Sequence, residues 1–255
     1  MKTFAPVLAT LLLIAHAPAQ TPVEPAKTTH PETPIPADPA KPAKVAIAPV
    51  KRARLKYTPP KSAVSGTRID GDGGSRAGGV KLPSLYVLAP NHTGLTTREQ
   101  PSLFWYQSGP ATTRFELTVI EPKKPKPVLR VGTDQADQPG IHRIPLAKHG
   151  ISLTPGVLYK WTIALVPDPA NRSQDVISSG TIQRIEPDVP LTAALADAAG
   201  GDKAAIYADK GIWYDALDAI TNEIDASPKN KELRLQRAAL LEQAGLKDAA
   251  AAERR

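Results

Sequence analysis

The sequence has no cysteine among its 255 residues. This absence excludes disulfide bonds, thiol catalysis, cysteine-ligated metals and a lipid-anchored lipoprotein, because each of these needs a cysteine side chain. Histidine is scarce as well, and the four that follow the first twenty residues do not have the spacing of a metal-binding motif. These four are His30, His92, His142 and His149. We therefore expect no metal site and no cofactor.

Common catalytic motifs are also absent. The sequence contains no G-x-S-x-G nucleophile elbow, no G-x-x-x-x-G-K-[ST] phosphate loop and no G-x-G-x-x-G dinucleotide fingerprint. Asp70 and Asp72 resemble the start of a calcium loop, but the twelfth position is Lys81, where an EF-hand has a glutamate. The sequence thus favours a protein that is not an enzyme.

Long apolar runs are missing except at the start. Phe4–Ala15 is an apolar run of 12 residues, too short to cross a bilayer, which takes about 20 helical residues. Lys2 precedes this run and Ala17-Pro18-Ala19 follows it, as in a signal peptide with its cleavage site. We predict a signal peptide over residues 1–19, cleaved after Ala19. The expected product is periplasmic or secreted, with no transmembrane span.

Most of the net charge of +7 lies in one part of the chain. Residues 20–80 hold ten Lys/Arg against five Asp/Glu, whereas residues 81–255 hold 21 against 20. A nucleic-acid-binding domain would concentrate positive charge on a folded face, so no nucleic-acid partner is expected. The basic stretch Val50–Lys61 is either a solvated linker or a weak electrostatic contact to anionic lipid or polymer.

The same part of the chain is rich in proline and then in glycine. Residues 20–60 include ten prolines, and proline fixes φ and removes a backbone donor. A glycine-rich stretch follows at residues 66–79. These compositions predict a disordered linker over residues 20–80.

Short strands dominate residues 81–189. Seven runs rich in β-branched and aromatic residues are bounded by Pro, Gly, Asn or Asp. They are PSLYVLAP, SLFWY, RFELTVIEP, VLRVG, HRIPL, LYKWTIALV and VISSGTIQRI. This pattern predicts an antiparallel β-sandwich of the immunoglobulin or fibronectin III type.

The stretch ISLTPGVLYKW (151–161) indicates how two of these strands are joined. A proline and a glycine turn the chain before a tyrosine enters the next strand, which resembles the tyrosine corner of immunoglobulin-like domains. There the tyrosine hydroxyl bonds to backbone a few residues upstream. We expect structural roles, not ligand contacts, for Trp105, Pro155, Gly156, Tyr159 and Trp161.

Residues 190–255 are rich in alanine and have a helical period. Tyr207, Gly211 and Ala216 recur 34 positions later as Leu241, Gly245 and Ala250, which is the period of tetratricopeptide repeats. We predict a short tetratricopeptide-like helical region, with Gly211 at a turn and Trp213 sealing the helix pair. Fewer than two repeats are present, so the helices either dock on the sandwich or await a partner.

Three groups are candidate binding residues. Thr97 and Arg98 precede a strand, where their group either caps a bend or binds a ligand. Arg172 and Asp175 lie in a loop between two strands, where they either pair with each other or recognise a partner. Tyr214 follows the buried position of Trp213 and is the candidate for surface contact.

Three ordered strings resemble an exported bacterial family catalogued as domain of unknown function nine-twenty-eight. They are GLTTREQPSLFWY (94–106), DPANRSQDVISSGTIQRIEP (168–187) and GIWYDALDAI (211–220). The resemblance covers residues 85–246 and implies an envelope protein, with no assigned reaction. This chain has Asn171-Arg172-Ser173 where the family pattern has Asp-Arg-Ser, which puts any role of that aspartate in doubt here.

These observations predict an exported, non-enzymatic protein–protein interaction module of the bacterial envelope. Its expected partner is another envelope protein. Two alternatives stay open, namely a protein that binds envelope polymer or carbohydrate, and a hydrolase with an unrecognised site. The first requires exposed aromatic residues in line on one sheet face. The second requires a convergent set such as Asp168, Arg172 and Asp175 around a pocket.

Overall fold

A computed structural model describes residues 54–61, 67–73, 82–133, 138–198 and 202–255. The predicted signal peptide and the linker up to residue 53 lie outside the described residues. Within these five ranges, no helix is both long enough and apolar enough to cross a membrane.

Eight strands form two sheets. They are β1 (Leu85–Val87), β2 (Gly94–Thr96), β3 (Ser102–Gln107), β4 (Arg114–Ile120), β5 (Leu129–Thr133), β6 (Gly140–Pro145), β7 (Leu158–Val166) and β8 (Val176–Arg184). One sheet has the order β1-β3-β6 and the other β2-β8-β7-β4-β5; all pairs are antiparallel except β2 with β8. Each of the seven predicted runs contains a strand. The additional strand, β2, has the sequence GLT and lacks the longer run of apolar and β-branched residues that surrounds the equally short β1.

The two sheets pack on each other through alternate residues of their strands. Successive side chains of a strand point to opposite faces, and in β4 the alternate residues Phe115, Leu117 and Val119 are at most 1% exposed. The ring of Trp105 in β3 lies 6.3 Å from that of Phe115. The core between the sheets is therefore built from the residues that the alternation selects.

The turn before β7 has the bond expected of a tyrosine corner. The Tyr159 hydroxyl accepts a hydrogen bond from the Thr154 N–H at 3.2 Å. Gly156 has φ of 75°, a left-handed conformation that glycine adopts without steric cost. Its N–H donates to the Arg184 carbonyl at 2.8 Å, which fastens the turn to the end of β8.

Five helices follow the strands. They are α1 (Val189–Asp197), α2 (Asp202–Asp209), α3 (Trp213–Ala226), α4 (Lys231–Gln243) and α5 (Lys247–Glu253). Gly211 separates α2 from α3 and Gly245 separates α4 from α5, with φ of 73° and 76°. Both glycines thus take the left-handed conformation that commonly ends a helix. The fold is therefore mixed, with mainly antiparallel sheets followed by helices.

The helices dock on the sheets. Phe104 in β3 is opposite Arg143 in β6, and residues directly opposite each other share a sheet face. Arg143 Nη1 donates to Asn222 Oδ1 of α3 at 2.7 Å, so this face is turned towards α3. Phe104 is fully buried there. Sheets and helices contribute to one hydrophobic core. Of the two arrangements that the sequence left open, the helices therefore adopt the one in which they pack on the sheets.

The predicted disordered linker is partly ordered. Leu55 and Tyr57 are 6% and 7% exposed, between the exposed Arg54, Lys56 and Thr58. This alternation indicates an extended backbone, in which successive side chains point to opposite sides. Farther on, Ile69 pairs with Ser179 of β8, and Gly71 pairs with Leu85 of β1. The prediction of disorder over 54–61 and 67–73 is wrong because two alternating apolar residues are too weak a signal beside so many prolines and glycines. We call residues 54–61 the strap.

Candidate functional site

Two glutamines of α4 hold the main chain of the strap. Gln236 Oε1 accepts from the Leu55 N–H at 2.8 Å. Gln243 Oε1 accepts from the Tyr57 N–H at 2.8 Å, and its Nε2 donates to the Leu55 carbonyl at 2.8 Å. Residues seven positions apart lie on the same face of a helix, two turns from each other. The side-chain amides of α4 thus bind an extended backbone much as a neighbouring strand would.

The Tyr57 ring enters a pocket of aromatic residues. It meets Trp213 edge-on, with ring centroids 5.0 Å apart, and stacks on His92 at 5.9 Å. His92 Nδ1 lies 2.9 Å from the Thr93 carbonyl, which only accepts, so in the neutral imidazole Nδ1 carries the proton and Nε2 is an acceptor. The Tyr57 hydroxyl therefore donates to His92 Nε2 at 3.0 Å. Burial raises the pKa of the Tyr57 hydroxyl, which keeps it protonated for that role.

The strap also contacts the turn after α2. The Thr58 N–H donates to the Ala208 carbonyl at 3.0 Å. A Cβ added at Gly211 would lie 2.7 Å from the Thr58 carbonyl oxygen, so glycine permits this close approach. Arg54 and Lys56 are exposed, in alternation with the buried Leu55 and Tyr57. We call the groups of α2–α4 and His92 that contact Leu55, Tyr57 and Thr58 the strap site.

The candidate residue Thr97 lies at a second buried site, around Asp215 of α3. Thr97 donates to Asp215 Oδ2 twice, from its N–H at 2.9 Å and from its hydroxyl at 2.5 Å. The Thr96 hydroxyl donates to Asp215 Oδ1 at 2.5 Å. Desolvation raises the pKa of the fully buried Asp215, and the bonds from Thr96 and Thr97 oppose that shift. Thr97 thus joins the sheet to α3.

Arg98, the next candidate, is paired with the same helix. Its Nη1 lies 2.7 Å from Asp218 Oδ2, and Arg143 Nη1 lies 3.6 Å from Asp218 Oδ1. Asp218 is 3% exposed, while the Arg98 side chain is 43% exposed. The hydroxyl of Thr96 also accepts from the Arg98 N–H at 3.1 Å, which is the bend-capping role that the sequence suggested.

Arg172 pairs with carboxylates on both sides of its loop. Its Nε lies 2.7 Å from Asp175 Oδ2, as one sequence interpretation predicted, and its Nη2 lies 3.3 Å from Glu116 Oε1 in β4. Asp168 instead accepts from the Ala170 N–H at 2.8 Å. Asp168, Arg172 and Asp175 therefore do not converge on one point, and Arg172 holds its loop to the five-stranded sheet.

The prediction of a surface contact for Tyr214 is wrong. Tyr214 is fully buried, and its hydroxyl accepts from Trp161 Nε1 at 2.8 Å and donates to the Thr181 carbonyl at 3.0 Å. The neighbouring Trp213 donates from Nε1 to the Leu88 carbonyl at 2.7 Å. The first two side chains of α3 thus bond to different parts of the chain, Trp213 to the residue after β1 and Tyr214 to β7 and β8. The first turns of α3 are buried at every position from Trp213 to Asp218, which a single-face pattern does not anticipate.

The remaining structural candidates lie as follows. Trp105, Tyr159 and Trp161 are at most 1% exposed in the core, while Pro155 and Gly156 form the exposed turn before β7. The sequence interpretation missed the strap site altogether. Its only signals are the alternation of Leu55 with Tyr57 and the seven-residue spacing of Gln236 and Gln243 on α4.

Where the structure describes the chain, no group of three or more His, Cys, Asp or Glu side chains is placed to hold a metal ion.

A comparison with protein-family models identifies the family of the chain. A family model described as Domain of Unknown Function (DUF928) matches residues 71–254. No curated protein matches the chain.

Proposed function

Because the chain belongs to the DUF928 family, whose description assigns no reaction, we propose a function from the strap site itself. We propose an exported, non-enzymatic protein–protein interaction module of the bacterial envelope. Its helices, tetratricopeptide-like in their period, bind an extended segment of another protein. An immunoglobulin-like sandwich carries them as a rigid scaffold.

One observation carries the proposal. Gln236 and Gln243 form three hydrogen bonds to the main chain of an extended segment. Main-chain bonds of this kind supply affinity for many sequences, and pockets for alternate side chains supply specificity. The strap site has both features, because Leu55 and Tyr57 are buried between exposed neighbours.

The placement of the tryptophans supports protein binding over carbohydrate binding. All three tryptophans are at most 1% exposed: Trp105, Trp161 and Trp213. Two of them donate their indole N–H inside the protein. They are therefore not placed to stack on a sugar ring from the surface.

The test is site-specific photo-cross-linking in intact envelopes of the producing cell. A photoreactive amino acid replaces Glu232, which lies one turn before Gln236 and bonds to it at 3.2 Å. The matched control replaces Lys160, which faces away from the core between the buried Tyr159 and Trp161. We expect a discrete protein adduct from position 232 and none from position 160.

A second control ties the adduct to the strap site. The adduct from position 232 should disappear when Gln236→Ala and Gln243→Ala are added. Equal adducts from both positions, or no protein adduct from position 232, would reject the proposal. A heterogeneous polymer adduct from position 160 would favour the polymer-binding alternative.

A further inference from the structure

The strap site is occupied by the chain's own residues. We propose that the strap is a built-in competitor, so that a partner segment binds only when the strap leaves. This inference rests on the proposed function and concerns the regulation of the same site. The partner segment would be extended and would carry leucine, any residue, then tyrosine, as Leu55-Lys56-Tyr57 does.

The strap is able to leave without breaking a helix or a sheet. Its hydrogen bonds to the site come from Leu55, Tyr57 and Thr58. Four of the five involve a side chain of the site or strap, and the fifth is the Thr58 N–H to the Ala208 carbonyl. That carbonyl also accepts from the Gly211 N–H at 3.1 Å, so it stays bonded after the strap leaves.

The emptied site would keep its shape. Gln236 Nε2 donates to Glu232 Oε1 at 3.2 Å, and Gln243 Nε2 also donates to the Ala239 carbonyl at 2.8 Å. Both amides are thus held by their own helix as well as by the strap. The Trp213 indole is fixed by its bond to the Leu88 carbonyl. A site held in its binding geometry loses little entropy when a second peptide binds.

The two side-chain positions define the partner. The main-chain bonds to Gln236 and Gln243 do not depend on sequence. Binding at the Tyr57 position does depend on the side chain, because His92 Nε2 accepts a hydrogen bond from the hydroxyl there at 3.0 Å. A phenylalanine at this position would leave that buried acceptor unpaired, which weakens binding. We expect about a tenfold preference for tyrosine over phenylalanine, the effect of one lost hydrogen bond.

Covalent attachment gives the strap its advantage over a free peptide. A short linked segment has an effective concentration of about 1 mM at its site. The apparent affinity for a free peptide falls by the fraction of molecules whose site is open. If the strap occupies the site in about 99 of 100 molecules, a free peptide binds the intact chain about 100-fold more weakly than an open site.

The experiment measures this ratio directly. A fluorescent peptide of residues 54–61 is titrated with the chain from Gln20 onward and with its Leu55→Ala/Tyr57→Ala variant, by fluorescence anisotropy. We expect the variant to bind about 100-fold more tightly than the unaltered chain. The peptide supplies the leucine and tyrosine that the variant lacks. Adding Gln236→Ala and Gln243→Ala to the variant should abolish the gain.

A milder variant guards against loss of folding. Leu55→Ala alone keeps the Tyr57 ring in its aromatic pocket, and we expect a gain of about tenfold. A cooperative melt, measured for each variant by circular dichroism, establishes that it is folded. Equal affinity for the unaltered chain and the folded variants would overturn the competitor role and leave the proposed function standing. Absence of binding to every folded variant would also overturn it, and the adduct from position 232 then decides the proposed function separately.

Discussion

Asp215 is a carboxylate enclosed by three donors from the last residue of β2 and the residue after it. The donors are the Thr96 hydroxyl and the N–H and hydroxyl of Thr97. A fully buried carboxylate is costly unless such bonds replace its hydration. The sequence positions 96–97 and 215 are far apart, so nothing in the local pattern of either predicts this site.

Removing the Asp215 carboxylate should cost more than neutralising it. Asp215→Ala leaves three buried donors without an acceptor, and we expect a loss of about 3 kcal/mol in the free energy of unfolding. Asp215→Asn keeps an acceptor of the same shape, and threonine hydroxyls accept from its amide, so we expect a loss of about 1 kcal/mol or less. Urea unfolding at pH 7 measures both. Equal losses for the two variants would show that packing, and not hydrogen bonding, determines the effect.

The difference in stability between the unaltered chain and Asp215→Asn should depend on pH in a defined direction. Desolvation raises the pKa of Asp215 above its ordinary value of 3.8. Between the unfolded and the native pKa, the native state binds more protons, so this group favours folding as the pH falls. The stability advantage of the unaltered chain over Asp215→Asn should therefore grow between pH 7 and about pH 4.5. Urea unfolding at both pH values tests this, and an advantage that shrinks on acidification would contradict it. The other carboxylates are common to both proteins and cancel in the difference.

At the scale of elements, the strap and the helices meet at a glycine turn. Gly211 follows α2 and Gly245 follows α4 with nearly the same φ, but the surroundings of the two glycines differ. A Cβ at Gly211 would lie 2.7 Å from the Thr58 carbonyl oxygen, whereas at Gly245 its nearest neighbour would be Arg68 Nη2 at 3.8 Å. Comparing alanine at Gly211 with alanine at Gly245 therefore separates two free-energy costs, that of a left-handed alanine and that of displacing the strap.

Alanine at these two turns should have unequal effects. Gly245→Ala should lose about 1 kcal/mol in the free energy of unfolding, the cost of a left-handed alanine. Gly211→Ala should lose at least about 1 kcal/mol more, because the strap must move away from the added methyl group. Denaturant unfolding measures both, and tryptic cleavage at Lys56 should be faster in Gly211→Ala. In a Leu55→Ala/Tyr57→Ala background the two losses should become equal; a persistent difference would place the strain elsewhere.

The elements differ in how far the sequence predicts them, for physical reasons. Strands such as β4 are predictable because one face is buried and the other is not, which leaves an alternating pattern. The strap is not predictable in this way, because it is held by Gln236 and Gln243, about 180 residues away in the sequence. The burial of Tyr214 is not predictable either, because it depends on where α3 packs against the strands. Contacts set by the packing of distant elements leave little local signal, and at the strap site this signal is only the alternation of Leu55 with Tyr57 and the spacing of Gln236 and Gln243.

At the scale of the whole molecule, the sheets and the helices depend on each other. The first two residues of α3 bond to the β part of the chain, Trp213 to the carbonyl of Leu88 just after β1, and Tyr214 to Trp161 of β7 and Thr181 of β8. Without the helices, the Leu88 carbonyl, the Trp161 indole N–H and the Thr181 carbonyl would lose these hydrogen bonds. The side chain of Phe104 would become exposed to solvent. The boundary predicted at residue 190 thus separates two kinds of secondary structure that share one core.

This shared core predicts a single cooperative unfolding transition. Tryptophan fluorescence reports on Trp105 and Trp161 in the sheets and on Trp213 in α3, while far-ultraviolet circular dichroism at 222 nm reports mainly on the helices; in a two-state transition all probes coincide. In the unaltered chain we expect the fluorescence and circular dichroism signals to have the same urea midpoint. In Tyr214→Phe the two midpoints should again coincide, but at a lower urea concentration. The phenylalanine variant is the matched control, because it keeps the ring but removes the hydroxyl that bonds to Trp161 and Thr181. If the helices melted before the sheets, the circular dichroism midpoint would fall below that of the fluorescence. That outcome would show that the sheets hold their structure alone and that α3 only rests against them.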